Sequence, residues 1–358
     1  MKIIDKYIIK KFLGTFIFAI SVIMVIVVVF DISENIEDFI SNHAPLKEII
    51  FVFYANFLPY FINLFSPLII FISVIIFTGR MAYNTEIVAI LSNGISFKRL
   101  MLPYLISSIC VCTLSFCLMN FVIPNSNSKR IKFEDTYIRR SNKSYGINFH
   151  KQVSPGTFIY LDNFNRDNNT GYQFFIEKIE KNVLKSKLSA STIRWDSLRN
   201  HWILENYVLR KFNGMNESLI KGVRLDTVFE FTSKDFKTKI QDLDGMNFNE
   251  LNKFIREEKA KGNEKIVFYE VEKHKRTAYP FATVILTFIG FSLSSRKVRG
   301  GIGMHIGAGI VISFAYILFM QISVTFATNS NLPALIAVWI PNTMFGILGL
   351  YLMRTAPK

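Results

Sequence analysis

The stretch Phe12-Leu13-Gly14-Thr15-Phe16-Ile17-Phe18-Ala19-Ile20-Ser21-Val22-Ile23-Met24-Val25-Ile26-Val27-Val28-Val29-Phe30 carries no charged side chain. Coiled as a helix at about 1.5 Å per residue, it spans the roughly 30 Å apolar core of a bilayer. Five more segments meet the same condition: residues 49–78, 100–123, 277–295, 301–328 and 332–353. Residues 49–78 exceed the bilayer and contain Pro59 and Pro67. That span is expected to tilt, kink at the prolines, or protrude. Four of the gaps between segments are short, and one, 124–276, is long and hydrophilic. The chain therefore reads as an α-helical integral membrane protein with six transmembrane helices, three on each side of an inserted domain. Residues 1–11 are basic, like the start of a leader. The apolar run is longer than a leader's, and Phe30-Asp31-Ile32-Ser33 offers no small-x-small cleavage site, so the first span is expected to be retained.

Composition agrees. Half of the residues are hydrophobic and 19% are charged, yet the net charge is +15; the mean hydropathy is +0.28. Disorder is excluded by the apolar content. A disulfide scaffold is excluded because three cysteines in 358 residues form no framework. A nucleic-acid partner would account for the charge but not for the hydropathy. A membrane protein accounts for both.

With six spans, both termini share a side. That side holds Lys2, Lys6, Lys10, Lys11, Arg80, Lys98, Arg99, Arg296, Lys297, Arg299, Arg354 and Lys358 against Asp5 and Glu86. The opposite short loop, 31–48, holds Asp31, Glu34, Glu37, Asp38 and Glu48 against Lys47. The bias puts the termini in the cytoplasm. Residues 124–276 carry a net +9, but long loops cross largely regardless of charge. This domain is therefore expected outside the cytoplasm, which in a two-membrane bacterium is the periplasm.

Its pattern is that of β structure. Strand-forming runs occupy 157–161, 172–176, 188–195, 202–212 and 223–231, with turn signals at 163–171, Asn213-Gly214 and Lys221-Gly222. About ten residues per strand with one polar face suggests an antiparallel sandwich or jelly roll. At 247–261, Phe248, Leu251, Phe254 and Ile255 recur at helical spacing and Gly262 is a stop signal, which predicts an amphipathic helix. The expected organisation is 1–123 with three spans, 124–276 as the inserted domain, and 277–358 with three more.

No phosphate-binding G-x-x-x-x-G-K-[ST], no H-E-x-x-H, no G-x-S-x-G and no paired-cysteine motif occurs. The five histidines are scattered, and Cys110, Cys112 and Cys117 all fall in the third span, where small apolar packing is the simplest role. The chain is expected to be a non-catalytic subunit without a cofactor or metal of its own. The loop after the second span is more informative. Residues 85–91 have helical composition, Asn84 or Thr85 can cap the start, Glu86 suits the first turn, and Gly94 suits the C-terminus. Ile87, Ile90 and Leu91 share a face. Such a helix, about 80–98, either lies on the membrane surface or docks into a cytoplasmic partner, with Tyr83 and Glu86 beside the docking face. In the fifth span, Gly303 and Gly307 form a G-x-x-x-G, which allows close helix packing and, less directly, a substrate role.

Taken together, these features resemble the LptF/LptG permease family of the lipopolysaccharide-export ABC transporter. The resemblance covers nearly the whole chain. It rests on Asp5-Lys6-Tyr7-Ile8-Ile9-Lys10-Lys11-Phe12, on Thr85-Glu86-Ile87-Val88-Ala89-Ile90 with Gly94-Ile95-Ser96, on Pro124-Asn125, and on Trp202-Ile203-Leu204-Glu205-Asn206. It continues in His274-Lys275-Arg276-Thr277-Ala278-Tyr279-Pro280, the glycines of the fifth span, and Trp339-Ile340-Pro341-Asn342. The order of these motifs around a 3 + β + 3 layout is the specific feature.

The resemblance implies a periplasmic β-jellyroll that passes lipopolysaccharide onward. It implies a paralogous or identical permease as partner, with lateral gates between the first span of one copy and the fifth of the other. Ile23, Val27 and Phe30 are the gate candidates on the first span; Phe314, Ile317 and Met320 are those on the fifth. It implies a cytoplasmic ABC ATPase dimer, supplying ATP and Mg, docked on the loop of Glu86. A bitopic LptC-like protein and an LptA-like bridge would complete the path. Relatives often carry basic residues at the outer end of the first span; here that stretch is acidic, from Asp31 to Asp38. Either Lys47, the β domain or a partner then meets the lipid phosphates, or the head group differs. A membrane-anchored scaffold or sensor is the alternative from another class. A secondary transporter usually needs ionisable residues at mid-membrane, which these spans lack.

Overall fold

The computed structural model describes residues 2–138, 146–165, 168–181, 183–214, 216–229, 231–233, 236, 240–260, 263, 265–296, 301–330 and 332–355. They fall into two compact units, each described separately: 1–137 with 244–249 and 267–358, and 138–243 with 250–266.

The first unit holds six helices long and apolar enough to cross a membrane. They are α1 (Ile3–Ser41), α2 (Leu46–Tyr83), α4 (Phe97–Tyr137), α6 (Ile266–Ser294), α7 (Gly301–Asn329) and α8 (Ala334–Thr355). The short α3 (Glu86–Ser92) lies between α2 and α4. Several helices outrun their apolar segments. The helix α1 continues through the acidic stretch to Ser41, so most of the expected outer loop 31–48 is helical. The helix α4 continues past Ile123 to Tyr137, and α6 begins eleven residues before the expected start at Thr277. Hydropathy marks only the part a bilayer can cover, whereas a helix is propagated by backbone bonds as long as no breaker intervenes. Pro59 and Pro67 stay inside α2, and a π-helical turn, Ile49–Tyr54, relaxes that helix nearer its N-terminus.

Two apolar clusters organise this unit. One joins Ile8, Phe12 and Phe16 of α1 to Ile70 and Phe77 of α2, Ile87 of α3, and Leu100 and Tyr104 of α4. The other joins Phe71 and Ile75 of α2 to Ala282, Leu286 and Ile289 of α6, Tyr316 of α7 and Val338 of α8. Close approach is made at Gly290, where an added Cβ would lie 2.9 Å from the Phe71 ring, and at Gly309 against Ile75. Polar bonds tie the second cluster. Tyr316 Oη donates to Asn342 Oδ1 at 2.9 Å, and Asn342 Nδ2 donates to the Ala278 carbonyl at 2.8 Å. Cys110 and Cys117 are exposed on α4, so the packing role expected for them is not met within the chain.

The second unit contains one antiparallel sheet of six strands in sequential order: β1 (Gly146–Ser154), β2 (Thr157–Asn165), β3 (Thr170–Glu180), β4 (Val183–Asp196), β5 (His201–Asn213) and β6 (Asn216–Thr227). The inserted β domain is present as expected, but among the described residues its connections are those of a meander, not the crossed strand order of a jelly roll. Lys221-Gly222 is not a turn. Gly222 sits within β6 opposite Tyr207, whose ring occupies the space a Cβ would need. The hairpin at Asn213-Gly214 is present, with Gly214 at φ +64°. One face of the sheet buries Ile159, Leu161, Phe174, Ile193, Trp202 and Leu204 beneath Phe231 and Phe236. The amphipathic helix, α5, runs Phe248–Ala260 and buries Leu251 and Ile255; its expected stop, Gly262, lies outside the described residues.

Candidate functional site

Between α2 and α4 the chain makes two tight turns around α3. Thr85 adopts φ +61°, which turns the chain out of α2. Gly94, at φ +80°, donates its N–H to the Leu91 carbonyl at 3.0 Å and ends α3 in the left-handed conformation that glycine tolerates. Ser96 then caps α4, accepting from the Arg99 N–H at 3.3 Å. The expected helix of about 80–98 is thus three pieces: the end of α2, α3 and the start of α4. Its apolar face turns inward. Ile87 is buried, and Ile90 and Leu91 pack half-buried against the cluster of α1, α2 and α4. The outward face presents Val88, Ala89 and Ser92, with Tyr83 and Gly94 exposed on either side. Glu86 is half-buried, near Tyr7 of α1, and accepts from Asn84 Nδ2 at 3.4 Å.

At the base of α1, both oxygens of Asp5 accept from Arg99, at 2.8 Å from Nη1 and 2.7 Å from Nη2. Asp5 also accepts the Lys2 N–H at 2.8 Å. Sequence reasoning counted both residues only as charges. The signal was there: Asp5 is the sole acid in a basic N-terminal segment.

The gate candidates separate by burial. Ile23 and Val27 pack half-buried within the α1 cluster, whereas Phe30, Phe314 and Ile317 are exposed and Met320 is buried. Only 22% of the apolar window of α1 and 28% of that of α7 is covered by the described residues, against 33% for α4 and α8 and 61% for α2 and α6. The helices α1 and α7 are therefore peripheral and hold apolar surface free for lipid or another chain. Among the described residues, a Cβ added at Gly303 or Gly307 would meet nothing within 4 Å. Their expected packing is not made within this chain, because they lie on an open side of α7 while Gly309 faces α2.

Ile317 and Met320 also line a cavity of about 310 Å³ between α2, α4, α6 and α7. Its lining is mostly apolar and includes the polar or charged side chains of Tyr60, Asn63, Asp244, Glu272, Lys275 and Gln321. Two buried polar atoms at this cavity, Asn127 Oδ1 and Ser313 Oγ, have no hydrogen-bond partner among the described residues. Arg276 is buried and donates to the Met246 carbonyl at 2.7 Å. Burial foremost, and Glu272 next, push the Asp244 carboxyl up to about 6, against the opposing pull of Arg276, Arg130 and Lys275. Asp244 thus holds its proton in the fold at pH values where the unfolded chain has lost it. Stability should fall as pH rises from about 4 to about 6, by on the order of 3 kcal/mol, and level off above. Asp244→Asn should flatten that slope, as read from thermal midpoints at intervals between pH 4 and 8. An unchanged slope would show that another group carries it.

The arrangement can hold an amphiphile: apolar side chains to meet its chains, and polar and charged groups to meet its head. Among the described residues, no group of three or more His, Cys, Asp or Glu side chains could hold a metal. No curated protein matches the chain significantly. A family model described as lipopolysaccharide export system permease LptF/LptG matches residues 6–355, nearly the whole length, with the helical spans and the inserted sheet both inside the match. This multi-pass chain belongs to the LptF/LptG family of lipopolysaccharide export permeases.

Proposed function

We propose that this chain is one half of an ATP-driven transporter that extracts lipopolysaccharide from the inner membrane and passes it to a periplasmic bridge. The whole-length family match supports this reading more than any other observation. Both termini and α3 face the cytoplasm, in keeping with the Lys/Arg bias, and the β domain lies in the periplasm. Extraction is uphill at roughly 0.8 kcal/mol per CH₂ withdrawn from the bilayer, so an energy source is required. A separate ABC ATPase dimer binding ATP and Mg supplies it. The second permease copy, paralogous or identical, covers the exposed sides of α1 and α7, where Gly303 and Gly307 admit close helix packing. The head group of the lipid meets Lys275 and its neighbours at the cavity between α2, α4, α6 and α7, in place of the outer end of α1, which is acidic in this chain. A bitopic LptC-like protein and an LptA-like bridge receive the lipid from the β domain.

The ATPase docks on the outward face of α3, around Val88 and Ala89, while Ile87, Ile90 and Leu91 anchor the segment. Val88→Arg should therefore lower the ATPase recovered with the chain in mild detergent by about tenfold, as expected of a central interface residue. Ile87→Ala should instead lower the thermal midpoint of the chain. Mass spectrometry of the captured proteins and lipids reads both partner and cargo. Capture without any ATPase or lipopolysaccharide would count against the reading.

A further inference from the structure

We propose that the Asp5–Arg99 ion pair straps α1 to the coupling segment, so that the drive enters the lateral gate through α1 and not through α7. The inference rests on the transport reading above and adds the route by which force travels. Four observations carry it.

The Asp5 carboxylate is almost wholly buried, and each of its oxygens takes one arm of the Arg99 guanidinium at 2.7–2.8 Å. A bidentate fork of this kind fixes orientation as well as distance, which a lysine could not do. An exposed pair would contribute little. Here the Asp5 side chain is 4% exposed and that of Arg99 35%, so loss of Arg99 leaves a buried carboxylate without its counterpart.

The pair also joins two helix starts. Asp5 caps α1 through the Lys2 N–H, and Arg99 lies in the first turn of α4, whose cap is Ser96. Only the short link after Ser92 separates that turn from α3. Third, α1 touches α3 on its other flank. Tyr7 lies near Glu86, and Ile8 and Phe12 share their apolar cluster with Ile87. The first turns of α1 are therefore held to both ends of the coupling segment.

Fourth, α7 is not. No described residue of α7 belongs to the cluster of α1, α3 and α4; its Tyr316 and Met320 belong to the cluster with α6 and α8. When α3 is displaced by its partner, α1 is the peripheral helix bound to follow.

The test uses the full chain in its complex with the second permease and the ATPase, in lipid nanodiscs. Cys110, Cys112 and Cys117 are replaced by alanine, and spin labels are placed at Ser33 on α1, which is exposed, and at the outer end of the fifth span of the second permease, across the same gate. Asp5→Asn and Arg99→Gln break the pair; Asp5→Arg combined with Arg99→Asp restores it reversed. The broken variants should keep ATP hydrolysis within about twofold of the parent, lose about tenfold in lipopolysaccharide release, and lose half or more of the nucleotide-dependent distance change. The reversed pair should recover release and distance change together. A distance change that survives in both broken variants overturns the proposal. So does joint loss of hydrolysis, release and complex yield that the reversed pair does not repair, since that is the behaviour of a folding staple. If the parent shows the distance change but releases no lipopolysaccharide, the transport reading fails, and the distance arm still decides the strap.

Discussion

Trp202→Ala should destabilise the β domain by about 3–5 kcal/mol, the cost of emptying a large, fully enclosed aromatic site. Trp202 is fully buried at the start of β5, in edge contact with Trp195 and Phe236. Its Nε1–H donates to the Phe231 carbonyl at 2.8 Å. It therefore both fills the core and holds down the segment of Phe231 and Phe236 that closes the buried face of the sheet. Truncation removes the ring and the donor at once. At 1.4 kcal/mol per factor of ten, the open form of the domain becomes more populated by roughly one hundred- to four thousand-fold. Limited proteolysis of the full chain in detergent reads this directly: cleavage within 146–243 should accelerate while the helical spans stay intact. Trp202→Phe keeps most of the volume and loses the bond, so it should cost only about 1–2 kcal/mol. Equal cleavage rates for the alanine variant and the parent would remove Trp202 from the centre of this core.

Gly290→Leu should have the largest effect among the spans. The Cβ position of Gly290 lies 2.9 Å from Phe71 Cδ2 and 3.1 Å from Val74 Cγ1, and both neighbours are fully buried on α2. A leucine there has no room, so α6 must move off α2. Overpacking of this kind costs about 1–3 kcal/mol or more. Because α2 and α6 are the two most covered spans, the strain spreads to both clusters. The expected readout is a lowered thermal midpoint and broadened elution in detergent. Pairing the change with Phe71→Ala makes room and should recover much of the loss. A single variant as stable as the parent would show that the two helices do not approach at this glycine.

These two sites also mark where the sequence was readable. The six spans and the inserted β domain follow from run length and alternation, because bilayer thickness and strand pleat each impose a period that single residues reveal. The ends of α1, α4 and α6 did not follow, since polar helix beyond the bilayer leaves no hydropathy signal. Neither did β1, whose Gly146–Ser154 has mixed polarity. Gly222 reads as a turn residue until Tyr207 is seen beside it. Gly303 and Gly307 carry the packing motif, yet it is Gly290 and Gly309 that pack within the chain, because which side of a helix meets a neighbour is a tertiary fact. The segment of α3 was legible in position and in its stop at Gly94, but not in its start, where the Thr85 hydroxyl donates to the Asn84 carbonyl and makes no cap. Its facing was not: the same apolar face of Ile87, Ile90 and Leu91 suits docking or anchoring, and the bundle takes it as an anchor. The Asp5–Arg99 pair and the cluster around Asp244 join residues distant in sequence, which no single-sequence pattern connects.

The central claim is that this chain moves lipopolysaccharide out of the inner membrane. The most direct measurement is to deplete it in a two-membrane bacterium that depends on it, pulse-label new lipopolysaccharide, and separate the two membranes. The account predicts that labelled lipopolysaccharide accumulates in the inner-membrane fraction as the chain disappears, and that the intact chain restores delivery. Arrival of labelled lipopolysaccharide in the outer membrane at the normal rate after depletion would contradict it.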